Sequence, residues 1–185
     1  MNLISYSINT EPTYLGDSVF ATESSKYVTE FRGKIRSLNK KDKDELIGEF
    51  DITSVDVFSA VANNDECLLD VIDTTQNTFD AADATLDTDS YEPNKIIQTQ
   101  FGSDVYGSYA VVNFIEIKHE WENSNVDIAM MFDFMNRHLT QNSLLMIEPA
   151  NKKQEQKLKK FKFKKIKGSK FYAFGNAYKQ PEVKL

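Results

Sequence analysis

Apolar and polar residues alternate from Lys26 to Leu38 (K-Y-V-T-E-F-R-G-K-I-R-S-L), the period-two pattern of a half-buried strand. A charged turn, N-K-K-D-K-D-E, follows, and the alternation returns from Leu46 to Val57 (L-I-G-E-F-D-I-T-S-V-D-V). The two runs predict an antiparallel hairpin, with Gly33 and Gly48 marking a bulge or a close approach of backbones. Beyond it the period lengthens. Phe58, Val61 and Ala62, then Leu68, Leu69, Val71 and Ile72, then Phe79, Ala82 and Leu86 fit two or three short helices with acidic outer faces. Asp87 to Gly107 reads as loop, interrupted by Pro93, Gly102 and Gly107, with a short apolar interlude at Ile96 and Ile97.

Tyr109 to Ile117 (Y-A-V-V-N-F-I-E-I) is rich in β-formers and mostly apolar, as a central strand covered on both faces should be. A polar turn leads into a helix over Val126 to Leu139, with Ile128, Met131, Met135 and Leu139 on one stripe, and Leu144 to Ile147 is a short apolar strand ended by Pro149. This is a βαβ unit, so the two strands should be parallel neighbours joined by the helix. Gln154 to Lys165 predicts a basic helix and Lys170 to Phe174 a closing strand. Residues 1–25 carry turn signals (Pro12, Gly16) and read as an opening segment able to add a strand. One α/β (α+β) domain over residues 1–185 is the expectation.

Composition and charge narrow the picture. No apolar run approaches a membrane span and the N-terminus lacks the basic start and long apolar stretch of a signal peptide, so a cytoplasmic protein away from membranes is expected. The single cysteine, Cys67, and two histidines without ligand spacing predict no metal site. The 12 Lys and 2 acidic residues from Asn151 to Leu185 make the Lys-rich segment 151–185 +10, which leaves −16 on the first 150 residues of a chain whose net charge is −6. Between Asp44 and Glu92 stand 14 acidic residues and no Lys or Arg. An acidic region over 44–92, including its helical part 58–92, can recruit a basic protein partner; alternatively the two ends neutralise each other within the fold or between the subunits of a homodimer. Lysines interleaved with Phe161 and Phe163 suit a nucleic-acid backbone, but the −16 elsewhere repels a polyanion, so nucleic acid is not the expected partner.

The order hairpin, acidic helices, central strand, turn, helix, strand, basic helix, strand resembles the GNAT acetyltransferase superfamily over most of residues 27–175. The resemblance implies a mixed, mainly antiparallel sheet of six or seven strands flanked by helices. It also implies acetyl-coenzyme A as cofactor, with pantetheine along the edge of Ile117 and the diphosphate on the turn residues Asn123, Ser124, Asn125 and Val126. Asn151 matches the asparagine that often opens the following helix and contacts the cofactor. Glu116 or Glu120 would act as the base that deprotonates an acceptor amine. The tyrosine that would protonate the thiolate is replaced by Phe161, Lys162 and Phe163, with Tyr172 as a distant substitute.

The turn departs from the family's Arg/Gln-x-x-Gly-x-Gly/Ala signature. Glu122 stands at the Arg/Gln position, and Asn123, Asn125 and Asp127 where glycine or alanine is common. Phosphate binding at a helix start needs free backbone N–H groups, close approach and no competing negative charge. Ser124-Asn125-Val126-Asp127 fits a Ser-x-x-Asp cap instead, in which the serine oxygen and the carboxylate satisfy the helix's own amides. Such a turn works against cofactor binding and catalysis and favours a non-catalytic interaction module.

Overall fold

A computed structural model of the chain describes residues 3–12, 27–38, 44–63, 72–73, 75–87, 89–102, 105, 108–140, 142–175 and 177–184. Seven strands form one sheet: β1 (Leu3–Pro12), β2 (Val28–Leu38), β3 (Asp44–Val55), β4 (Tyr109–Ile117), β5 (Leu144–Ile147), β6 (Lys164–Lys165) and β7 (Tyr172–Gly175). Their spatial order is β1-β2-β3-β4-β5-β7-β6. Among the described residues only β4 and β5 run parallel, joined by the helix Val126–His138, and every other strand pair is antiparallel. The sheet is therefore mixed and mainly antiparallel, in an α+β fold.

Helices α1 (Val57–Ala62), α2 (Gln76–Thr85) and α3 (Lys95–Phe101) cover one face; α4 (Val126–His138) and α5 (Lys152–Lys160) cover the other. Alternation assigns the faces. Val28 and Val55 meet Ala60, Ala81, Ile97 and Phe101, while Phe31, Ile35, Phe50 and Ile52 meet Ile128, Met131, Phe134 and Met135. Phe31 and Phe134 stack edge to face with centroids 5.0 Å apart. Full burial of such side chains stabilises the fold by roughly 1.5–3 kcal/mol each before the entropy of ordering is subtracted.

Two bulges shape the sheet. In β3 the extra residue is Ile47, because Ile35 pairs with Gly48 and Arg36 with Leu46; Gly33 itself pairs regularly. In β4 the extra residue is Asn113, because Asp51 pairs with Phe114 and Ile52 with Val112. That residue inverts the alternation, so Ile115 and Ile117 rejoin the face of Ala110 and Val112. Asn113 is fixed by its own side chain, whose Nδ2 donates to Asp51 Oδ1 (2.7 Å) and Thr53 Oγ1 (2.9 Å).

Gly48 is a close-approach position. A Cβ there would stand 2.5 Å from the Glu116 carbonyl oxygen and 2.8 Å from Ile117 Cδ1, so the backbone of β4 would have to move. Gly48→Ala is expected to lower stability by about 1–3 kcal/mol, measured by urea unfolding, and unchanged stability would show that β4 yields without cost.

Several sequence expectations need correction. The segment read as loop after Asp87 contains α3, started by Asn94, whose Oδ1 accepts from the N–H groups of Ile96 and Ile97. The basic helix ends at Lys160 rather than Lys165, because Lys162 takes a left-handed φ of 67°. That break lets both Phe161 and Phe163 enter the core, at 5% and 3% exposure, so neither ring is available to stack on a base. Cys67, Leu68, Leu69 and Val71 lie outside the described residues. Among the described residues no helix is long and apolar enough to cross a membrane, and no group of His, Cys, Asp and Glu is arranged to hold a metal ion.

Candidate functional site

Strands β4 and β5 pair only from Tyr109↔Leu144 to Val112↔Ile147. Beyond that point β4 continues to Ile117 while the chain after β5 turns through Pro149 into α5. The strands part there, and an open cleft of about 310 Å³ forms between the end of β4 that β5 does not pair, the turn before α4 and the first turns of α5. Ile115, Glu116 and Ile117 contribute the β4 wall, Glu122 and Asp127 the turn side, and Asn151, Lys153 and Lys157 the α5 wall.

Ile117 thus lines the cleft, and Glu116 borders it from β4, but strand alternation sets its side chain on the opposite face of the sheet, across from Glu49. Glu120 does not line the cleft; it is exposed in the 3-10 turn His119–Trp121. Asn151 lines the cleft as the N-cap of α5, its Oδ1 accepting from the Gln154 N–H at 2.9 Å. Asn123, Ser124, Asn125 and Val126 form the turn itself. The Glu122 and Ser124 amides donate back to the His119 and Trp121 carbonyls (3.2 and 2.9 Å), and the Val126 amide lies 3.4 Å from Ser124 Oγ. Asn125 Nδ2 reaches away from the turn to the Lys184 carbonyl at 2.7 Å. Tyr172 does not reach the cleft, because its hydroxyl donates to Glu155 Oε1 at 2.6 Å.

The expected Ser124–Asp127 cap is not formed. The N-cap of α4 is Asn125, without a side-chain cap bond; Ser124 Oγ donates to the Trp121 carbonyl at 2.6 Å, and Asp127 turns to another partner. That partner is Lys157. Its Nζ lies 2.9 and 3.0 Å from the two oxygens of Asp127, 2.9 Å from the Ser124 carbonyl and 3.3 Å from the Glu122 carbonyl. Four acceptors surround an ammonium with three protons, so its donor capacity is filled. The pair is largely removed from water, with side-chain exposures of 16% for Lys157 and 9% for Asp127.

Lys153, one turn earlier on the same helix face, reaches Glu122 Oε2 at 3.3 Å, while the other Glu122 oxygen meets His119 Nδ1 at 3.2 Å. Hydrogen bonds first from His119 and then from Lys153 hold the Glu122 carboxyl below its ordinary pKa. Two carboxylates (Glu122, Asp127) and two ammonium groups (Lys153, Lys157) therefore leave the cleft without net charge.

The sequence's charge asymmetry is partly resolved inside the fold, as Lys170 bridges Asp80 (2.8 Å) and Glu148 (3.0 Å) and Lys118 lies 3.7 Å from Glu45. Sequence reasoning overlooked Lys157 as a site residue. The available signal was the four-residue spacing of Lys153 and Lys157, which places two ammonium groups on one helix face above an acidic turn.

No family model, curated protein or solved structure matches the chain.

Proposed function

We propose that this chain is a GNAT-like protein whose acetyl-coenzyme-A position is filled by its own Lys157, and that it acts in the cytoplasm by binding a partner rather than by acetyl transfer. The parallel pair β4–β5, parting beyond Val112 and Ile147 beside a helix start, supports the first half of this reading. The Lys157 cluster carries the second. A diphosphate at a helix start requires amide donors and positive potential. This turn instead directs the Glu122 and Ser124 carbonyls toward Lys157, whose charge is already neutralised by Asp127. The residues present do not fit the cofactor, so no acyl-transfer step is derived through Glu116 or Glu120.

A basic protein remains the partner that the acidic region 44–92 suits. Asp83, Asp89 and Glu92 are three of its carboxylates on the α2–α3 side of the fold. Calorimetry of the wild-type chain with acetyl-coenzyme A at moderate salt is expected to give no binding heat. Saturable micromolar binding would overturn the proposal and return the chain to the acetyltransferases.

A further inference from the structure

The two edges of the sheet differ sharply. β6 is only two residues long, both lysines, which is how natural sheets discourage edge-to-edge pairing. β1 is ten residues long (L-I-S-Y-S-I-N-T-E-P), with no lysine or arginine, a single acidic residue at Glu11 and a proline only at its end. Among the described residues it pairs with β2 on one side and with no strand on the other. An extended edge of this kind offers a row of backbone donors and acceptors to another strand.

The sequence of β1 indicates which strand. Ile4-Ser5-Tyr6-Ser7-Ile8 reads the same in both directions about Tyr6. Its register with β2 places Tyr6 opposite Ile35 and Thr10 opposite Phe31, so Ile4, Tyr6 and Ile8 occupy positions on the α4 face of the sheet, and Ser5 and Ser7 positions on the other. We propose that β1 is the interface of a homodimer, pairing antiparallel with β1 of a second copy across a two-fold axis at Tyr6. In that register Ile4 stands opposite Ile8 of the partner subunit and Ser5 opposite Ser7 of the partner subunit. A shift by one residue would set apolar positions against polar ones and exchange the faces. A shift by two keeps the faces but opposes Ile4 to Tyr6 or Thr10 of the partner subunit and loses one apolar match. The centre of β1 is uncharged, so no like-charge repulsion opposes a second copy. Isologous pairing closes at two and joins the sheets of both subunits into one.

The inference is independent of the coenzyme A reading, and its test has a separate readout. Sedimentation equilibrium of the full chain is expected to give the dimer mass at micromolar concentration. Tyr6→Lys sets two ammonium groups opposite each other at the axis and should weaken dimerisation about tenfold or more, with far-UV circular dichroism checking the fold. In a Cys67→Ser background, Tyr6→Cys should give covalent dimers on mild oxidation, since facing residues have Cα separations of about 4.5–5.5 Å, within disulfide range. Ile4→Cys alone should not, whereas Ile4→Cys with Ile8→Cys should. A monomeric wild type, or a dimer indifferent to Tyr6→Lys that does not cross-link at position 6, would overturn the proposal.

Discussion

Lys157→Met is expected to lower the unfolding free energy by about 3–5 kcal/mol, the loss typical when one member of a buried ion pair is removed. The Asp127 side chain is only 9% exposed, and without Lys157 its carboxylate and the Ser124 and Glu122 carbonyls lose the cation that satisfies them. The methionine keeps most of the apolar stem, so little of the loss comes from packing. For a chain of 185 residues this corresponds to a fall in melting temperature of roughly 10 °C. A double-mutant cycle with Asp127→Asn separates the pair from its surroundings: the double variant should be less destabilised than the two single losses added together. A loss below about 1 kcal/mol for Lys157→Met would place the ammonium in water, as for an ordinary surface pair, and would remove the physical basis for a cleft whose central cation is already satisfied.

The parts of this fold that were legible in the sequence are those in which one local pattern decides the outcome. Alternation from Lys26 to Leu38 and from Leu46 to Val57 yields the β2–β3 hairpin, and the run from Tyr109 to Ile147 yields the parallel unit with its helix. Where a short element depends on one cap and one contact, the pattern is too brief to register. Helix α3 is seven residues long, held by Asn94 and by Ile97 and Phe101 facing the core one turn apart, and looked like loop beside Pro93 and Gly102. The basic helix erred in the opposite direction, because Phe161-Lys162-Phe163 has the period of a strand and Lys162 leaves helical space to bury both rings.

The cleft shows the same division. Glu122, Asn151 and the turn were visible as positions, but what Asp127 does depends on Lys157, 30 residues away and brought near only when α5 docks beside α4. Ser124-x-x-Asp127 has the spacing of a cap, yet an adjacent ammonium offers the carboxylate a charge-assisted bond, stronger than one to a neutral amide. Local capping therefore lost to a tertiary ion pair. The consequence for function is that the negative turn does not repel anions alone; it also neutralises the two lysines that would otherwise attract them.

That coupling leads to the largest functional change expected of any small substitution here. Replacing Glu122 with Gln and Asp127 with Asn leaves Lys153 and Lys157 with no carboxylate in the cleft and moves its charge from zero to +2. Both ammonium groups then lose their carboxylate partners (3.3 Å for Lys153–Glu122, 2.9 Å for Lys157–Asp127) and become available to a diphosphate. A hydrogen bond to a charged group contributes about 1.5–3 kcal/mol, so two should strengthen coenzyme A binding by roughly a hundredfold or more over the wild type. The gain should weaken as salt is raised and should largely disappear when Lys157→Met is added, which distinguishes binding in the cleft from attraction to the other lysines of the C-terminal segment. The double variant will be less stable, because Lys157 keeps only the two carbonyls and an amide, so calorimetry belongs well below its melting temperature. If the folded double variant still ignores coenzyme A, the carbonyls of Glu122 and Ser124 rather than the net charge exclude the cofactor, and the turn would need a different backbone to accept it.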